Sequence, residues 1–378
     1  MKLINDVDSE WLRSFENRLL FWLYVAYIEA RRGGKRGTFD EHKFELHEFE
    51  NLVNLRDSII DKTYRPSRGT AHIIHNPVIR EIFAASFRDR IVHHLIYDLV
   101  YDWWDKHFIE NSFSCREGKG TSAGIECLKR HIQACSDNYK RKVWVIKLDI
   151  QGYFMSLPRQ KLYERAMWGL NKQFANDKGQ VYEMLRFLWA QTILDDPCRG
   201  VKRKGWPQDW KDLPKNKSLF WQALEIGIVI GNLTSQLLSN IYLDQLDRYV
   251  IYGLGYKYYG RYVDDFYIVV TEEELAQALA DIDRIEAYLA RLGLRLHPNK
   301  RSIQPADNGV AFLGAVVYPG RDYPGRRLVR NADKAFSEVV AGVRDVESVV
   351  SYLGHMKYMS SRKILSELFE KSGWDYNF

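Results

Sequence analysis

Arg261-Tyr262-Val263-Asp264-Asp265-Phe266 places two adjacent carboxylates between stretches rich in aromatic and β-branched residues. Tyr256-Lys257-Tyr258-Tyr259 before the pair and Phe266-Tyr267-Ile268-Val269-Val270 after it read as strands, so a tight connection between them would expose Asp264 and Asp265 at a hairpin tip. Adjacent like charges repel, and each raises the cost of ionising the other. A fold gains nothing from that arrangement, whereas a divalent cation reverses its sign. Alone, the pair would also fit an ordinary surface turn.

A second acid lies upstream. Val143-Trp144-Val145-Ile146-Lys147-Leu148-Asp149-Ile150 is a hydrophobic strand that ends in one carboxylate and runs into Gln151-Gly152-Tyr153-Phe154. Asp149 also fits a helix N-cap. Two-metal phosphoryl transfer needs carboxylates that converge on cations about 3.5–4 Å apart, and Asp149 with Asp264 meets that need. Oxygen-only ligands suit Mg²⁺, which keeps several waters and takes substrate phosphates as ligands.

With these acids the chain resembles a reverse transcriptase of the group II intron-like lineage, from about Tyr64 to Gly320. Arg80-Glu81-Ile82 and Arg88-Asp89-Arg90-Ile91-Val92 resemble the fingers segment. Asn111-Ser112-Phe113-Ser114-Cys115-Arg116-Glu117-Gly118-Lys119-Gly120 resembles the block that follows it. The strand ending at Asp149 matches motif A, Tyr262 to Asp265 motif C, Leu294 to Lys300 motif D, and Phe312-Leu313-Gly314 motif E. Motif B departs from the common form. Ile230-Gly231-Asn232-Leu233-Thr234-Ser235-Gln236 has Ile where most members have Gln and Gln where they have Pro. That form is similar to the reverse transcriptases of diversity-generating retroelements, which copy a template RNA into cDNA with frequent errors opposite adenine. Ile230 cannot make the hydrogen bonds of an amide, and an apolar surface discriminates more weakly than a hydrogen-bonding one. Ile230 equally fits plain core packing.

The resemblance implies an α+β, right-hand polymerase fold with fingers, a palm of antiparallel sheet backed by helices, and a helical thumb. It assigns catalysis to Asp149, Asp264 and Asp265, and metal binding to Asp149, Asp264 and the Ile150 carbonyl, with two Mg²⁺ ions and dNTP substrates. Around the nucleotide it implies Arg80, Gly152, Tyr153, Phe154 as a steric gate, Ile230, Gly231, Gln236 and Lys300. A lysine common upstream of Arg80 is missing, since Ala71 to Ile79 offers only His72 and His75. Expected partners are template RNA, the cDNA product and a small basic multimeric accessory protein. Retron or phage-defence reverse transcriptases would share the metal site. A non-catalytic RNA-binding scaffold would have less reason to keep three repelling acids.

Composition agrees with a large packed core, at 46% hydrophobic, and net charge is only +6. Basic residues cluster at Arg31-Arg32-Gly33-Gly34-Lys35-Arg36 and again at Arg199, Lys202, Arg203, Lys204, Lys211, Lys215 and Lys217. Interleaved with Trp206, Trp210 and Trp221, the second cluster fits phosphate contacts with base stacking, and also a solvated loop. Candidate nucleic-acid contacts are Arg116, Lys119, Lys202, Arg203 and Lys204. Four scattered cysteines indicate neither disulfides nor zinc, which with the absence of a basic signal-peptide start makes a reducing cytoplasm the expectation; the resemblance implies a bacterial or phage-encoded enzyme. Leu19 to Ile28 is too short to cross a bilayer and reads as a buried helix. The expected organisation is an N-terminal helical extension over 1–60, fingers over 61–140, palm over 141–320 with an insertion around 171–221, and a helical thumb over 321–378.

Overall fold

The computed structural model describes residues 10–32, 36–75 and 78–373; Gly33 to Lys35 of the first basic cluster lie outside them. The chain is α+β and divides into two compact units, each assembled from separated segments. The first comprises residues 1–108, 151–245 and 288–295, the second residues 109–150, 246–287 and 296–378.

In the second unit, four antiparallel strands lie in the order Tyr259–Tyr262, Asp265–Thr271, Val143–Asp149, Ser302–Pro305. The strand Val143–Asp149 is β-branched and apolar because it is covered on both faces. Val143 and Val145 with Tyr267 and Val269 pack against Ile125, Leu128 and Ile132 of the helix Thr121–Cys135. The same core takes Val310, Phe312, Ala315 and Val317 from a three-stranded antiparallel sheet. Phe312 pairs with Ala315 across Leu313 and Gly314, at φ +48° and +89°, a primed two-residue turn.

The first strand of the acidic hairpin starts at Tyr259, three residues later than Tyr256. The chain leaves the preceding helix through a π-helical turn at Tyr249–Gly253, and Tyr256 N donates to Val250 O at 3.2 Å. The Tyr256 hydroxyl donates to Asp281 at 2.7 Å. Its aromatic side chain thus anchors a helix rather than a ladder.

Three helices end the chain: Arg326–Val340, Glu347–Met356 and Arg362–Ser372. Ala332, Ala335, Phe336, Val349, Met356, Leu365, Leu368 and Phe369 close their core.

The first unit begins with the helices Phe15–Ala30, Phe39–Glu45 and Glu48–Ile60. Leu19, Leu20, Leu23, Ala26 and Tyr27 are buried, and among the described residues no helix is long and apolar enough to cross a membrane. The hairpin Thr70–Ile74 with Arg80–Ala84 follows, then the helix Phe87–His107. Asp89 is buried at the start of that helix, accepting from the Tyr64 hydroxyl (2.9 Å), Ser67 N (2.7 Å) and the Ser86 hydroxyl (2.8 Å). Ser86 is the helix N-cap, its hydroxyl accepting from Asp89 N at 3.2 Å, and the Asp89 carboxylate anchors the preceding loop. Within the stretch expected as an insertion, Gln180–Ile193 is a regular helix packed on Arg159–Gln173. The irregular part begins after Ile193.

His93, on the helix Phe87–His107, shares a 2.9 Å hydrogen bond with Thr234 at the start of the helix Leu233–Arg248. Burial lowers its pKa from 6.5 to about 4, with the nearby His94 and Arg90 adding repulsion. The unfolded chain therefore takes up a proton near pH 6.5 that the folded one refuses until about pH 4. This contribution is complete above pH 6.5 and is lost as pH falls toward 4, by on the order of 3 kcal/mol. His93→Gln should flatten that part of the stability curve in urea unfolding between pH 7 and pH 4. An unaltered slope would mean His93 is not an acid-sensitive group.

Candidate active site

The acids of the second unit are set by strand register. Asp149, the last residue of its strand, pairs directly with Asp265, the first residue of the next. Asp265 also faces Tyr262 on the other side, so Val263 and Asp264 form a two-residue connection. Val263 has φ +56°, a region that favours glycine at this turn and costs a β-branched residue about 1–3 kcal/mol.

Arg261 holds that turn. Its guanidinium grips Asp247 with two parallel bonds, Nε to Oδ1 at 2.6 Å and Nη2 to Oδ2 at 2.7 Å, and both side chains are fully buried. Nη1 donates to Val263 O at 3.0 Å, and Nη2 also donates to the Ser112 hydroxyl at 3.2 Å. The Tyr259 hydroxyl donates to Asp247 Oδ1 at 2.7 Å. The backbone is secured as well, with Arg261 N donating to Asn111 O and Phe113 N to Arg261 O, each at 2.9 Å. The motif itself signals only the acids; the partner of Arg261, Asp247, lies 14 positions upstream on the preceding helix, outside the motif.

Two lysines attend the carboxylates. Lys300 Nζ lies 3.1 Å from both Asp149 oxygens, presented by a turn in which Asn299 N donates to His297 Nδ1. Lys147 Nζ lies 3.6 Å from Asp265 Oδ2 and donates to Ala311 O. Burial raises the Asp265 pKa to about 6, Lys147 opposes the rise, and Asp149 and Asp264 add to it. The acids thus feel one another. The backbone of Asp149 accepts from His297 N at 2.7 Å, and Ile150 N donates to Asp264 O at 3.1 Å, which fixes the strand end against the tip.

A divalent cation fits this donor set. All side-chain donors are carboxylate oxygens, as hard cations prefer, and Asp265 Oδ1 is buried without a hydrogen-bond partner. Asp149 and Asp264 are the residues that would hold such an ion. Among the described residues, the three ligating side chains that lie within 4.8 Å of one another are instead Glu41, His42 and Glu45. Glu41 there is fully buried and paired with Arg31 at 2.7 Å, a helix-to-helix tie.

The other sequence-predicted positions fall as follows. In the first unit, Gly152 has φ +56° and begins the short helix Tyr153–Ser156. Tyr153 is buried with its hydroxyl donating to Ser239 O at 2.7 Å, while Phe154 is half-buried. Arg80 is exposed on its strand, whereas the adjacent Glu81 points inward and accepts from Leu219 N at 2.8 Å. Ile230 O accepts from Phe83 N at 2.8 Å, and its side chain packs beside Ala71, Phe83, Met155 and Leu219. A Cβ on Gly231, at φ +125°, would lie 2.3 Å from Phe83 O, so only glycine permits this approach. Gln236 is exposed in the first turn of the helix Leu233–Arg248. Lys202, Arg203 and Lys204 are exposed, with Lys202 N and Lys204 N bonded to Gly69 O and Ala71 O.

Arg116 and Lys119, in the second unit, are tied to their own loop. Arg116 donates to Ile109 O (2.7 Å) and Ser112 O (3.0 Å), and Lys119 pairs with the Glu110 carboxylate and donates to its carbonyl at 3.1 Å. Carbonyls left without a ladder in this irregular loop attract the nearest cations.

Removing one partner of a buried, hydrogen-bonded ion pair strands the other charge, a loss of about 3–5 kcal/mol. Asp247→Asn should lower the free energy of unfolding in urea by that order, and a loss below about 1 kcal/mol would show that the pair does not hold the turn.

Residues 76–317, well over half of the chain, match the family described as reverse transcriptase (RNA-dependent DNA polymerase). Protein YkfC of Escherichia coli (strain K12) is 25% identical over 300 residues, 70% of either chain. Among solved structures, telomerase from Candida albicans in complex with a fragment of telomeric RNA is similar at 12% identity over 83% of this chain, with a TM-score of 0.47. Apo telomerase from Candida tropicalis gives 10% identity over 82% and a TM-score of 0.48. The chain spans 55% and 59% of those two telomerase chains. Its acids stand in strand register where the motif order places them, and this chain belongs to the reverse transcriptase family of RNA-dependent DNA polymerases.

Proposed function

We propose that the chain is an RNA-directed DNA polymerase of the diversity-generating kind, copying a structured template RNA into cDNA with errors opposite adenine. The observation that carries the polymerase part is the direct pairing of Asp149 with Asp265, beside a turn tip occupied by Asp264. Bound there, two Mg²⁺ ions would activate the primer 3′-hydroxyl and stabilise the triphosphate and leaving group.

The chain's own residues supply position and charge. Asp149 and Asp264 take the ligand roles with the Ile150 carbonyl, and Asp265 adds negative potential from a buried carboxylate. Lys300, already beside Asp149, is suited to protonate departing pyrophosphate. Arg80 is exposed, and its planar guanidinium is the kind of group that holds a triphosphate. Gly152 and Tyr153 offer backbone N–H groups at the start of their short helix, and half-buried Phe154 is the candidate steric gate.

The diversity-generating assignment rests on Ile230 and Gln236. Ile230 is clamped by its carbonyl to the strand that bears Arg80, so its side chain and the proposed triphosphate clamp share one rigid support. An apolar residue there supports loose discrimination between base pairs. A small basic multimeric accessory protein and mutagenic retrohoming complete the proposal.

Asp264→Ala should abolish metal-dependent dNTP incorporation on a primed RNA template while RNA affinity stays within about twofold of the parent. Substantial residual incorporation would remove the site assignment. Sequencing of cDNA made by Ile230→Gln should show fewer misincorporations opposite adenine; an unchanged error spectrum would separate motif B from fidelity and leave the polymerase assignment standing.

A further inference from the structure

In the first unit, the basic and Trp-rich stretch after Arg199 builds a surface cleft of about 550 Å³. Arg203, Trp210, Lys211, Leu213, Lys215 and Trp221 line it, and no Asp or Glu does. The wall is organised rather than loose. Lys204 N donates to Ala71 O at 2.7 Å, pinning this segment to the edge of the Thr70–Ile74 strand, and Trp210 Nε1 donates to Lys204 O at 3.0 Å. Phe220 lies edge-on to Trp210 with ring centroids 5.8 Å apart, and the Arg203 guanidinium sits 4.0 Å from the Phe220 ring centroid. Lys215 Nζ lies 4.4 Å from the Trp221 ring centroid.

Folding accounts for only part of this. Trp210 is half-buried by its anchors, but Trp221 is 63% exposed, leaving a large apolar ring in water beside the Lys215 ammonium. A ligand complementary to the cleft must carry negative charge and flat aromatic faces together. An acidic peptide without aromatic residues supplies the first alone, and a duplex keeps its base faces stacked inside.

We infer that this cleft binds an unpaired stretch of nucleic acid, with bases against the Trp210 and Trp221 indoles and phosphates on Arg203, Lys211 and Lys215. The inference rests on the reading of the chain as an enzyme that works on RNA, and it gives the exposed Lys202-Arg203-Lys204 run a defined neighbour. It names a holding site outside the carboxylate centre, for a single-stranded part of the template.

Binding of the full chain to an oligouridylate of about 12 nucleotides, within the span of one single-strand module, tests it through tryptophan fluorescence and competition. Trp221→Ala should weaken that binding about tenfold and leave affinity for a blunt RNA duplex unchanged. Lys211→Gln should lower the slope of log affinity against log salt by about 0.7, the share of one phosphate contact on a single strand. Both residues are exposed, and circular dichroism of each variant checks that it is folded. Parent-level affinity in Trp221→Ala, equal losses on single strand and duplex, or competition by polyglutamate as effective as that by oligouridylate would each overturn the inference. Primer extension by the unsubstituted protein is scored separately: its failure would strike the polymerase reading, whereas active extension without oligouridylate binding would strike only the cleft.

Discussion

The buried pair between Arg261 and Asp247 is the constraint from which the acidic hairpin takes its shape. Two charges out of water are costly unless geometry and further hydrogen bonds compensate, and here the guanidinium's planar fork meets both carboxylate oxygens while Ser112 and Tyr259 occupy remaining sites. The same guanidinium reaches the Val263 carbonyl, so a backbone conformation unwelcome to valine persists because its surroundings over-determine it. Lysine could not replace it, since a single ammonium has no planar fork. With the turn fixed, the carboxylates can be held closer than their repulsion would choose, and Lys147 and Lys300 moderate the resulting field.

The hairpin was legible because both strands alternate or run apolar around two acids that no core would select. The strand ending at Asp149 was legible for the same reason. What the sequence could not reveal is pairing over distance. Asp247 sits on the preceding helix, outside the motif, and nothing local marks it as the partner of Arg261. Tyr256 looked like strand because aromatic residues favour strands, yet a hydroxyl with Asp281 in reach is better used as an anchor.

The first unit reads differently because several of its motif letters are structural. In Arg80-Glu81-Ile82 the strand alternation sends Arg80 outward and Glu81 inward, where burial raises the carboxyl's pKa and Leu219 N supplies a donor. In Arg88-Asp89-Arg90 the aspartate gathers three donors at a helix start. Gly231 is required by a carbonyl at 2.3 Å from its would-be Cβ. A family signature thus mixes residues that face a substrate with residues that shape the support, and only burial and bonding separate them.

The two units share the chain in alternating pieces that switch at 108, 150, 245, 287 and 295. During synthesis the first unit therefore lacks its last segment until residue 295 has left the ribosome, and the second lacks residues 296–378 until after that. Neither can be released as a working fragment by one cut. Each closes its core only after distant segments have been made, so a product stalled before residue 295 would present two half-built cores.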